Sequence, residues 1–141
     1  MLTKFISKKD IERKWYLVDA KDKRLGDLSV NIAKILIGKG KPSYSSNLNF
    51  SDHVVLINAK DIKIHDKKID TKLYYSHSMY PGGLTTRPYS RMIKDNPEYV
   101  IRNSVKGMLP KTKIGAEMIN YLHVYNDDNH EYKSVKFEKT I

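Results

Sequence analysis

Two short apolar runs, Trp15 to Ala20 (WYLVDA) and His53 to Asn58 (HVVLIN), flank a stretch with helical periodicity, and this arrangement most constrains the fold. Both runs are rich in branched or aromatic residues, as buried strands are. Between them Leu28, Ile32, Ile35 and Leu36 mark one face of a helix predicted from Leu25 to Ile37, and Val30, Ala33 and Ile37 widen that face. Gly38 can close the helix in the left-handed conformation. A strand, a helix and a second strand of these lengths form a βαβ unit with parallel strands and a right-handed crossover. The chain is therefore expected to be an α/β protein.

A second helix is predicted after Asn96, where Asn96 can cap, Pro97 suits the first helical position and Glu98 faces the positive end of the dipole. Val100, Ile101, Val105 and Met108 give it an apolar stripe. Gly107 is expected to end it and Pro110 to prevent re-entry. Lys60 to Lys72 alternates charged residues with Ile62, Ile64 and Ile69, which predicts a small exposed hairpin or strand pair around Asp66-Lys67-Lys68. Lys72 to Ser78 reads as a strand entering a sharp turn at Tyr80-Pro81-Gly82-Gly83, where backbone can approach a ligand. Ile114 and Met118 continue at helical spacing, and Tyr121 to Tyr125 alternates as a strand that closes the sheet. Residues 1–14 read as a basic arm, 15–125 as one α/β domain and 126–141 as a tail fastened by Tyr132, Val135 and Phe137.

Charge speaks to partners. The 141 residues carry 26 Lys plus Arg against 16 Asp plus Glu, a net charge of +10, and for such a chain nucleic acid is the leading polyanionic partner. Without cysteine there is no disulfide scaffold, thiolate metal site or cysteine nucleophile. The apolar runs fall far short of the roughly 18 residues of a membrane span, so a soluble protein is expected. Asp10 and Glu12 interrupt the basic N-terminal residues, which argues against an import signal.

Arg102, Lys106, Lys111 and Lys113 gather on the second helix and its following turn, and each could neutralise a phosphate and release a counterion. The competing reading is an ordinary solvated surface. Thr85, Thr86, Arg87, Tyr89 and Arg91, preceded by Tyr74, Tyr75 and Tyr80, mix the groups that contact phosphates, sugars and unstacked bases. Arg87 is the strongest candidate among them, because tyrosines often serve as buried rings. Lys39 and Lys41 follow a helix and precede Pro42, so GKGKP is not a phosphate loop, and compensation of the helix dipole competes with any binding role. The segment Leu25-Gly26-Asp27 lacks a dinucleotide fingerprint.

The five histidines show no metal-ligand spacing, and Asp127-Asp128-Asn129-His130 lacks the glycine and distal glutamate of a calcium loop. Ser76 and Ser78 beside His77 do not form a nucleophile elbow. No metal site, cofactor or catalytic residue is assigned. An RNA-modifying or nucleotide-using α/β enzyme remains the alternative, since fold does not determine function.

WYLVDA at Trp15 to Ala20, Leu25-Gly26, GKGKPSY at Gly38 to Tyr44, VVLINA at Val54 to Ala59, YPGGL at Tyr80 to Leu84 and VKGMLPK at Val105 to Lys111 occur in an order that resembles the L13 family of bacterial-type large-subunit ribosomal proteins. The resemblance implies a three-layer α/β/α fold around a mainly parallel four-stranded sheet. It also implies a non-enzymatic component that binds large-subunit (23S-type) rRNA beside neighbouring ribosomal proteins, supports early assembly, and has no membrane or small-molecule partner. The ribosome would be that of the bacterial cytoplasm or of an organelle. Carried over by position, the RNA-facing residues are Lys39, Lys41, Gly82, Gly83, Arg87, Lys106, Lys111 and Lys113, with the basic groups expected along one flank. Asp27 and Ala116 stand where the family commonly has arginine, and Met79 where it commonly has glycine.

Overall fold

The computed structural model describes residues 6–140; Lys4, counted in the basic arm, lies outside them. The two apolar runs form β1 (Trp15–Asp19) and β2 (His53–Ile57), and α1 (Leu25–Ile37) connects them. The strands pair in parallel with Trp15 opposite His53 and Asp19 opposite Ile57. Gly38 closes α1 at φ 74°, its amide donating to the carbonyls of Lys34 and Ile35. Phe50 packs so closely here that a β-carbon on Gly38 would lie 2.8 Å from its Cβ. The position thus needs glycine for both conformation and space.

Downstream, the structure departs from the sequence pattern at Asp66-Lys67-Lys68. These residues begin the short helix α2 (Asp66–Thr71) rather than a hairpin, with the His65 side chain accepting the Lys67 amide at its start. Charged residues around isolated isoleucines fit either period, and the cap decides for the helix. The hairpin comes later, from β3 (Leu73–His77) and β4 (Leu84–Pro88), which pair antiparallel as a separate two-stranded ribbon. Helices α3 (Tyr89–Asp95), α4 (Pro97–Met108) and α5 (Lys113–Met118) then lead to β5 (Leu122–Val124).

Helix α4 starts as its sequence dictates: Asn96 Oδ1 accepts the Tyr99 amide at 3.0 Å. Its end differs from expectation, because Gly107 is an ordinary helical residue and the helix runs to Met108. Leu109 is extended at φ −83° and ψ 155°, the region that a following proline enforces. Pro110, rather than a left-handed glycine, ends the helix. Leu109 is buried while Met108 is exposed, so Leu109 takes the last place in the apolar stripe.

Strands β5, β2 and β1 form a parallel sheet, and the two-residue strand β6 (Lys139–Thr140) pairs with the outer side of β1. Val18, Val54, Leu56 and Leu122 point from one face into a core shared with Ile32 and Leu36 of α1, Val100, Ile101 and Val105 of α4, and Met92 of α3. On the opposite face Trp15 stacks on His53 at 4.0 Å between centroids, His123 lies 5.9 Å from Trp15, and Tyr132 of the tail covers both Trp15 and His123 at 4.7 and 4.9 Å. Burial lowers the pKa of both histidines, and each is lowered further by neighbouring positive charge. The expectation of an α/β fold with a parallel sheet is met. The antiparallel ribbon and the aromatic cover are additions that a three-layer sandwich did not foresee.

Candidate nucleic-acid interface

The nine candidate residues fall into three groups. The first is the turn from α4 to α5. Lys106, Lys111 and Lys113 are exposed and lie in no ion pair among the described residues. The turn is held by Thr112, whose hydroxyl accepts the Gly115 amide at 3.3 Å, and by Gly115 itself. A β-carbon on Gly115 would sit 1.8 Å from the Pro110 carbonyl oxygen, so the turn closes onto α5 only with glycine. Three cations therefore project from a fixed backbone.

Arg102 behaves differently. Its Nη2 donates to the Leu122 carbonyl at 2.9 Å, and its Nε pairs with Glu98 at 2.8 Å, one helical turn back. It ties α4 to the amino end of β5 and leaves the exposed charge to its neighbours.

The second group is the ribbon. Tyr80-Pro81-Gly82-Gly83 is a type II turn: the Gly83 amide donates to the Tyr80 carbonyl at 2.9 Å, proline precedes, and Gly82 has φ 73°. Gly83 leaves no room for a β-carbon, which would lie 2.8 Å from the Tyr80 carbonyl oxygen, part of the turn's own backbone. Both glycines thus have reasons internal to the turn. Just before it, Met79 is held at φ 66°, with its amide donating to His77 Nδ1 at 2.9 Å. Tyr75, Met79, Tyr80 and Leu84 are strongly exposed, so the ribbon tip is apolar as well as polar.

Arg87 lies directly across the ribbon from Tyr74, and Thr85 from Ser76, which puts all four on one face. That face and the start of α4 enclose a cavity of about 230 Å³ that Tyr99, Met92 and Asn96 complete. Tyr74 is 8% exposed, its ring meets Tyr99 edge-on at 6.2 Å, and its buried hydroxyl has no hydrogen-bond partner among the described residues. Burial, with Tyr89 and Tyr99 nearby, pushes its pKa up to about 12, so it remains a donor at neutral pH. Sequence reasoning did not join Tyr74 to Tyr99, because only the fold of α3 brings them together.

The third group is the exit of α1. Lys39 is exposed. Lys41 turns inward: its ammonium donates to the Glu12 carbonyl at 2.9 Å, the Phe50 carbonyl at 3.1 Å and Asp52 Oδ1 at 2.6 Å. An ammonium has three protons, and all three are used. Asp52 is 4% exposed and also accepts the Lys14 amide at 2.8 Å. Lys41 is therefore a staple between the N-terminal segment, the α1 exit and the start of β2, with its charge neutralised. The adjoining groove mixes Lys14, Lys34 and Lys39 with Asp10 and Glu12 and has no single sign.

The groups do not converge on one point. The ribbon meets α4 at Tyr99 in its first turn, whereas Lys106 lies seven residues on, about 10 Å along the axis. The arrangement suits an extended polyanion better than a small molecule.

Residues 13–131 match the family described as Ribosomal protein L13. The large ribosomal subunit protein uL13 of Lachnospira eligens is 47% identical over 138 residues, covering 98% of this chain and 97% of the relative. Those of Desulfitobacterium hafniense and Geobacillus kaustophilus are each 43% identical, over 134 and 139 residues, and the alignments cover 95% and 98% of this chain and 94% and 96% of the relatives. The chain belongs to the ribosomal protein L13 family.

Proposed function

We propose that the chain is a structural constituent of the large ribosomal subunit that binds large-subunit rRNA and supports early assembly of the particle. The observation that carries this reading is the rigid α4–α5 turn, which presents Lys106, Lys111 and Lys113 without acidic partners among the described residues, in a chain of net charge +10. Lys39 and Arg87 extend the surface. Gly82 and Gly83 shape the turn that leads into β4, the strand bearing Arg87, and Arg102 and Lys41 hold the scaffold. Phosphate neutralisation supplies affinity, and the fixed shape selects folded RNA. The protein performs no catalysis in this role.

The fold reading that accompanies it is a mainly parallel four-stranded sheet, supported by the pairing of β6 with Tyr16 and Leu17. The bacterial relatives favour a bacterial ribosome in the cytoplasm. Contacts with neighbouring large-subunit proteins belong to the same proposal.

If the five outward cations Lys39, Arg87, Lys106, Lys111 and Lys113 each engage one phosphate, the logarithmic salt slope is about −4. Affinity for a large-subunit rRNA transcript then falls roughly a few hundredfold between about 50 and 200 mM salt. A flat salt profile, or equal affinity for unrelated RNA of the same length, would refute the reading.

A further inference from the structure

We propose that the cavity between the β3–β4 ribbon and the start of α4 receives a single unstacked base of the RNA; the inference rests on the rRNA-binding reading above. At about 230 Å³ it is smaller than the roughly 300–1,000 Å³ of a drug-sized pocket, which suits a flat ring entering from a strand whose sugar and phosphate stay outside. One wall is Tyr99, 43% exposed and therefore able to offer its ring to a partner. Base–aromatic stacking is the commonest means by which proteins hold unpaired bases.

The polar groups suit a base edge. Tyr74, 8% exposed, lines the floor with its ring, while its hydroxyl is buried away from the opening. Ser76 and Thr85 share its face and can both donate and accept. Asn96 spends its carboxamide oxygen on the Tyr99 amide, which leaves its NH₂ as a donor. Arg87, opposite Tyr74 and in no ion pair among the described residues, stands where a flanking phosphate would lie. A protein side chain would use the apolar wall, but it would leave this guanidinium without an anion. The combination therefore favours RNA over a neighbouring protein.

The test measures binding of the full chain to a large-subunit rRNA transcript, with Tyr99→Ala and Arg87→Gln as variants and melting curves to confirm folding. Tyr99→Ala should bind about 5- to 150-fold more weakly with an unchanged salt slope. Arg87→Gln should lower the slope by about one. In intact large subunits, a benzophenone amino acid replacing Tyr99 should crosslink to rRNA. If the unaltered protein binds the transcript while Tyr99→Ala stays within about twofold of it, the base pocket is overturned and the rRNA reading survives. A crosslink to a ribosomal protein also overturns the pocket. If the unaltered protein itself fails to bind, the broader reading falls.

Discussion

Replacing Lys41 by methionine separates the staple from a phosphate contact. Methionine keeps most of the aliphatic stem but removes all three hydrogen bonds and the charge opposite Asp52. The Asp52 carboxylate, 4% exposed, is then left with the Lys14 amide as its only hydrogen-bond partner among the described residues. Breaking a buried pair from one side costs about 3–5 kcal/mol. The Lys41 side chain is 18% exposed, so water recovers part of that, and about 2–4 kcal/mol is expected. For a chain of this length the melting temperature should fall by roughly 6–15 °C. Thermal and urea unfolding near pH 7, alongside rRNA binding at a temperature where the variant is folded, provide the assay. A variant that melts within about 1 °C of the unaltered protein yet loses affinity and salt slope would refute the reasoning and make Lys41 a direct phosphate ligand.

Charge reversal of Lys106 and Lys111 together should leave unfolding nearly unchanged, because both are exposed and unpaired among the described residues, while reducing the rRNA salt slope by at least about two. Normal binding by that variant would misplace the contact surface. His53 and His123 are both held neutral more readily than free histidine because their rings are half-buried and near positive charge. Their contribution to stability is therefore present above the ordinary value near 6.5 and is lost as pH falls through the lower folded-state values. Urea midpoints measured from pH 7.5 to 5 should decline, and a His53→Gln, His123→Gln variant should flatten the profile; an unchanged slope would contradict the buried stack. Met79→Gly should relieve the left-handed strain of about 1–2 kcal/mol, partly offset by the greater freedom of unfolded glycine. The net gain is up to about 1 kcal/mol, or roughly 2–4 °C, and a lowered melting temperature would refute it.

The elements whose sequence carried two concordant signals were legible. Helix α1 combined an apolar face with a closing glycine, α4 combined a cap with a first-position proline, and β1 and β2 were continuous apolar runs. Asp66–Thr71 was misread because six residues hold too little periodicity to separate helix from strand. The end of α4 was misassigned to Gly107 because a glycine and a proline two residues apart can each terminate a helix, and only backbone geometry shows which does. At the candidate site, Lys106, Lys111 and Lys113 were readable because proximity in sequence guarantees proximity in space. The inward turn of Lys41 was not, since it depends on Glu12, Phe50 and Asp52, which the fold alone assembles. The same holds for the cavity between Tyr74 and Tyr99.

The most direct test of the central claim is amine-reactive footprinting of the lysines, comparing the free chain with the chain in gradient-purified large ribosomal subunits by mass spectrometry. Lys39, Lys106, Lys111 and Lys113 should react readily in the free protein and become protected in the particle, with protection lost after ribonuclease treatment. Equal reactivity of these four lysines in both states, or absence of the chain from the large-subunit fraction, would contradict the account.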